Sequence, residues 1–253
     1  MPSTIGMLSK LNVLDLESNM LSSTIPSMKP VRYLQHLRLG HNKLSSPLFP
    51  ALSHQAELLE LNVTHNEMSG DVLFFKCFLA CCVSAGKNPW TNLRLLAVID
   101  LSFNQFTGEV NSLGYILRPR VLDISSNFFV GEVPSSLPNA LVTFNASNNQ
   151  LSGTMPTDAF ERRMDELETI DVSGNQIVGA LPMGVAEIGA LKTLILANNS
   201  FTGTVHSEWS EMSSLSECWL ILLSIVESSS LHMALLTLQV YFFEIVVFSL
   251  SLY

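Results

Sequence analysis

"LNVLDLESNMLSSTIP" runs from Leu11 to Pro26 and decides the fold. Its apolar residues are Leu11, Leu14, Leu16, Leu21 and Ile25, with Asn19 set among them. The same frame surrounds Asn42, Asn66, Asn104, Asn127, Asn149, Asn175 and Asn199. Five residues before each Asn stand Leu14, Leu37, Leu61, Ile99, Leu122, Phe144, Ile170 and Leu194. Positions three before and two after are also wholly apolar, and eight before is Leu everywhere except Pro119. Successive Asn are 23, 24, 38, 23, 22, 26 and 24 residues apart. A period of this size means stacked supersecondary units that share one core.

Each unit contains a short alternation such as Leu14-Asp15-Leu16, the mark of a half-buried strand. One three-residue strand has no stability of its own, but copies stacked in register form a parallel sheet. Where the strand ends, the turning chain leaves buried backbone groups that need partners. An Asn amide carries both acceptor and donors. The eight Asn are therefore expected to form a buried ladder between neighbouring turns. The competing assignment is an ordinary surface turn former.

These positions spell L-x-x-L-x-L-x-x-N-x-L, which resembles the leucine-rich repeat. Gly70, Gly108, Gly131, Gly153, Gly179 and Gly203 follow their Asn by four, and Pro26, Pro134, Pro156 and Pro182 follow by seven. "FVGEVP" and "LSGTMP" thus resemble the L-x-G-x-I-P of the plant-type subclass. The resemblance implies a right-handed α/β-type solenoid with a parallel sheet on its concave face and irregular or 3₁₀ segments behind it. It covers residues 1–217, about eight repeats. It implies a receptor-like protein or receptor-kinase ectodomain that recognises a protein or peptide ligand, together with a co-receptor, at the plasma membrane. The alternatives are an intracellular or secreted scaffold of the same fold, or a truncated fragment.

Three stretches depart from the pattern. The chain opens on "MPSTIG", the back half of a repeat, without the charged and apolar regions of a signal peptide, which is expected of a truncated family member. The long step before Asn104 holds an apolar insertion at about 73–88, expected to be a loop and too short to span a bilayer. The tail, 218–253, is apolar, and 233–253 is long enough to cross a membrane. Gln239 and Glu244 within it oppose insertion, and no Lys or Arg follows Lys192. A membrane anchor and an apolar tail packed on the last repeat both remain open.

The net charge of −9 argues against nucleic acid, which demands a basic face. Cys77, Cys81 and Cys82 have no His within ten residues, so neither zinc nor another metal is expected. No cofactor is expected, since there is no phosphate-binding Gly loop, and no enzyme either, since there is no kinase signature set or G-x-S-x-G elbow. The six His scatter over repeat positions without a paired nucleophile.

The central outward strand positions are Asp15, Arg38, Asn62, Asp100, Asp123, Asn145, Asp171 and Ile195. The first seven are the candidate ligand-binding residues. Their four acids suit a basic peptide, although the family resemblance also implies that Asp here often only solvates the sheet. Sequons occur at Asn62, Asn145 and Asn198. They are glycan acceptors if the chain is secreted, and chance supplies as many.

Overall fold

The computed structural model describes residues 1–45, 47–52, 54–72, 93, 95–110, 119–135, 137–156, 164–222 and 243–247. Its backbone coils into a right-handed solenoid. One parallel sheet of ten strands lines the concave face. The strands are Val13–Asp15, His36–Arg38, Glu60–Asn62, Val98–Asp100, Val121–Asp123, Thr143–Asn145, Thr169–Asp171, Thr193–Ile195, Glu217–Leu222 and Phe243–Val247. From Val13–Asp15 through Glu217–Leu222 the register pairs each repeat position with its equivalent, so Leu37 faces Leu61 and Asp100 faces Asp123. Equivalent side chains therefore form straight columns along the solenoid.

In the three-residue strands of this concave sheet the middle residue is buried and its neighbours are not, as the two-residue period of a strand requires. The inward columns merge into one continuous core. Phe106, Phe129 and Phe201, each two residues after its Asn, are among its largest fully buried side chains.

After the Asn the chain turns into short parallel strands that form a second side. Ser69–Asp71, Gln105–Glu109, Phe128–Gly131 and Gln150–Leu151 make one four-stranded sheet. Val178–Ala180 pairs with Ser200–Thr202, and Ser22–Ser23 with Lys43–Leu44. Six of the eight Asn are followed four residues on by a glycine of positive φ, within or just after these strands, for example 75° at Gly153. A Cβ on Gly153 would lie 2.7 Å from Glu132 Cγ. Ser23 occupies the same position in the first repeat with φ 70°, without glycine's freedom. The back of the solenoid carries 3₁₀ turns at Ser3–Met7, Met183–Glu187 and Ser207–Glu211.

The concave sheet continues past residue 217. Cys218 to Leu222 pair with Phe243 to Val247, so five residues of the apolar 233–253 segment form a strand here. The rest of that segment and the 73–88 insertion lie outside the described residues, as do Cys77, Cys81 and Cys82. Among the described residues, no helix is long and apolar enough to cross a membrane.

Candidate functional site: the concave sheet face

The asparagine column fixes the spacing of the site. Asn127 Oδ1 accepts from the backbone N–H of Phe106 in the preceding repeat at 2.9 Å. Its Nδ2 donates to Leu101 O of that repeat at 3.0 Å, and to Ile124 O and Ser125 O of its own. Asn42, Asn66, Asn104, Asn149, Asn175 and Asn199 repeat this pattern. Each such amide ties two turns together. Asn42, Asn104, Asn127, Asn149 and Asn199 are buried, while Asn66 and Asn175 are half-buried. Asn19 departs from the expected buried ladder: it is exposed and bonds only Leu16 O and Glu17 O, the described residues holding no strand before Val13–Asp15 for it to reach.

The residue just before each ladder Asn is left-handed. Ser18, His41, His65, Phe103, Ser126, Asn148, Gly174 and Asn198 have φ between 51° and 64°. This conformation turns the chain out of the strand. His41 stacks on His65 with centroids 4.3 Å apart, and His65 stacks on Phe103 at 4.0 Å. These exposed rings form a short rim beside the sheet.

The outward strand positions line up as one row. Asp15 is exposed; Arg38, Asn62, Asp100, Asp123, Asn145, Asp171 and Ile195 are half-buried. Most of these side chains also build the turn that follows. Asp100 Oδ1 accepts from Ser102 N at 3.0 Å and from Ser102 Oγ at 2.6 Å. Asp123, Asn145 and Asp171 likewise take the N–H two residues on, as do Asp15 and Asn62. The second oxygens of Asp100 and Asp171 accept no hydrogen bond from the described residues, and Asn145 Nδ2 donates to Asp123 Oδ2 at 3.0 Å. Burial pushes the Asp123 carboxyl up, hydrogen bonds from Ser125 and Asn145 oppose this, and neighbouring Asp100 adds to it.

A hydrogen-bond chain links this row to the rim. Ser102 donates to Asp100, so Thr64 Oγ must donate to Ser102 Oγ at 2.7 Å. Thr64 has spent its proton, so His65 Nδ1 donates to it at 2.9 Å. A neutral His65 therefore carries its proton on Nδ1 and presents Nε2 as an acceptor.

The two ends of the row differ in chemistry. At the first strands, Arg38 grips Glu60 through Nε to Oε1 at 2.7 Å and Nη2 to Oε2 at 2.8 Å, and lies 3.5 Å from Asp15. His36 Nδ1 adds a bond to Glu60 Oε2 at 2.8 Å. Arg38's hydrogen bonds hold the Glu60 carboxyl below its ordinary range; burial opposes this and His36 reinforces it. The Arg38 cation is thus already paired. Toward the other end Ile195 aligns with Trp219, whose indole N–H donates to Glu217 Oε1 at 2.8 Å, and Trp219 aligns in turn with Glu244. Trp219 was not among the residues singled out from sequence. Its signal is Leu215-x-x-Cys218-x-Leu220, the strand spacing of another repeat without the Asn.

The other candidates fall apart in space or are inert. Burial pushes the Cys218 thiol up to about 12. Among the described residues no three His, Cys, Asp or Glu side chains cluster as a metal site. Of the sequons, the Asn145 amide is engaged by Ser147 and Asp123 and the Asn62 oxygen by Thr64 N, while Asn198 is exposed.

A family model described as Leucine Rich Repeat matches residues 33–55 and 118–140. Receptor-like protein 35 of Arabidopsis thaliana is 30% identical over 241 residues, 78% of this chain and 25% of the relative. The ectodomain of the Arabidopsis thaliana membrane receptor kinase GASSHO1/SCHENGEN3 was solved in complex with CASPARIAN STRIP INTEGRITY FACTOR 2. It superposes with a TM-score of 0.77 at 26% identity, covering 89% of this chain and 26% of that one. The Arabidopsis receptor kinase HAESA was solved with the peptide hormone IDA and the co-receptor SERK1. It superposes with a TM-score of 0.63 at 25% identity, covering 89% of this chain and 44% of that one. The chain spans about a quarter of the length of the curated relatives it matches. On its repeats, its fold and these similarities, the chain belongs to the plant leucine-rich-repeat family of receptor-like proteins and receptor-kinase ectodomains.

Proposed function

We propose that the concave sheet is a peptide-recognition surface of a plasma-membrane receptor-like protein, acting by binding rather than catalysis. The observation that carries this is the in-register row Asp100, Asp123, Asn145 and Asp171. The strands hold these groups at a fixed spacing, so binding orders little of the receptor. The row is acidic and suits a basic peptide. Arg38 belongs to the same face, but its pairing with Glu60 and Asp15 leaves it to shape the edge of the surface. Relatives solved with a peptide hormone and a co-receptor support a ligand and a co-receptor of these kinds. Membrane attachment through the 233–253 segment is proposed as well, and it requires the Phe243–Val247 strand to leave the sheet.

Selection of random ten-residue peptides on the full chain tests the reading. Peptides enriched in Lys and Arg are expected, and their enrichment should fall at least tenfold on an Asp100→Asn, Asp123→Asn, Asp171→Asn variant. Absence of any enrichment, or enrichment unaffected by the three changes, would sink it. On the secretory route the exposed Asn198 is proposed as the principal glycan acceptor, since Asn62 and Asn145 are half-buried and the Asn145 Nδ2 is already bonded to Asp123. A glycosidase mobility shift that survives Asn198→Gln would refute that assignment.

A further inference from the structure

Past Asp171 the row on the concave face turns apolar for two rungs, before Glu244 takes the next position in register with Trp219. Asp171 pairs in register with Ile195, and Ile195 with Trp219. Ile195 and Trp219 are both half-buried, so part of each apolar surface faces solvent on the same side as the acids. Trp219 is held in place from below. Glu217, two residues earlier on the same strand, accepts its indole N–H at 2.8 Å. Thr193 Oγ1 lies 3.4 Å from the other oxygen of that carboxylate. Glu217 is thereby engaged with its neighbours, and the ring is oriented before any ligand arrives. An indole whose N–H is satisfied and whose body is partly open combines large apolar area with little rotamer entropy to lose.

We propose that Ile195 and Trp219 form an apolar anchor subsite that fixes the direction and chemistry of the peptide. The ligand is an extended basic segment with an aromatic or large aliphatic residue at one end. That residue packs on Trp219, and the cationic side chains lie toward Asp171, Asp123 and Asp100. This rests on the peptide-binding reading above and adds the ligand's polarity to it.

Rung spacing makes the chemistry quantitative. Adjacent strands are about 4.8 Å apart and an extended chain rises about 3.4 Å per residue. Trp219 and Asp171 are two rungs apart, a span of about three peptide residues. Asp123 is four rungs from Trp219, or about five to six residues. Cations placed roughly three and five to six residues from the anchor therefore meet acids. Nearer the anchor, the Ile195 rung offers no charge.

The test repeats the ten-residue peptide selection on the full chain carrying Trp219→Ala, with Trp219→Phe as the conservative partner. Thermal melts confirm that each variant folds. On the unchanged chain the enriched peptides should carry an aromatic or large aliphatic residue at that fixed distance from their Lys or Arg. On Trp219→Ala the apolar preference should fall to background while the basic preference stays, and Trp219→Phe should restore it. If Trp219→Ala fails to fold, the Trp219→Phe selection and an Ile195→Ser variant carry the same comparison. Basic peptides without any apolar preference, or a preference that survives Trp219→Ala, overturn the anchor and leave the acidic surface standing. Failure to enrich any peptide overturns both.

Discussion

At the scale of single residues, stability rests on one side chain repeated. Asn127 satisfies one N–H and three carbonyls at a corner where neither sheet reaches them. Asn127→Ala leaves these groups buried and unpaired, and is expected to cost about 1–3 kcal/mol. Asn19→Ala removes two bonds from an exposed position and should cost less than about 0.5 kcal/mol. Urea melts of the two variants side by side check this; equal losses would contradict a buried ladder. Ser23 is the reverse case. An L-residue in the left-handed region costs about 1–2 kcal/mol, partly offset by the entropy that glycine would lose. Ser23→Gly should therefore stabilise the chain by about 0.5–1 kcal/mol, read as a higher urea midpoint.

At the scale of elements, the outward acids turn out to serve the strand ends as well as the surface. Asp171 Oδ1 accepts from Ser173 N at 2.9 Å and from Ser173 Oγ at 2.6 Å. Asp171→Ala should cost about 1–2 kcal/mol. Asp171→Asn should stay within about 0.5 kcal/mol, because Asn62 and Asn145 already make the same turn. Chemical denaturation separates the two, and a neutral alanine would remove the turn role. It follows that amide variants test binding cleanly, whereas charge reversals also break the turn.

Glu60 gives these strands a pH dependence. Its carboxyl is lowered first by Arg38, so its contribution is present above the unfolded value of about 4.3 and is lost as pH falls through the folded one. The stability gap between the unchanged chain and Glu60→Gln should be widest near neutrality and close below about pH 4. A gap that does not change with pH would contradict this. Asp123 works in the opposite sense, since burial raises its carboxyl and acidification relieves that penalty.

At the scale of the molecule, the fold was legible because every repeat obeys the same frame. The apolar columns at five before, three before and two after each Asn become the core, and the in-register sheet follows from their spacing. The exposure of Asn19 was not legible, because the pattern marks what an Asn is built to do and not whether a neighbouring turn is there to bond it. Trp219 was missed because its repeat lacks the Asn, although Leu215, Cys218 and Leu220 keep the strand spacing. The chain from Asp100 through Ser102 and Thr64 to His65 joins residues of two repeats across the 73–88 insertion. Only the pairing of Glu60–Asn62 with Val98–Asp100 brings them together.

The central claim is that peptide binding occupies the concave row and not the opposite sheet. Carbodiimide labelling of carboxylates, read by mass spectrometry with and without a selected basic peptide, tests it most directly. The account predicts that peptide protects Asp100, Asp123 and Asp171 and leaves the labelling of Glu109 and Glu132, exposed on the second side, unchanged. Protection of Glu109 and Glu132 with the concave acids still labelled would place the ligand on the wrong face and contradict the account.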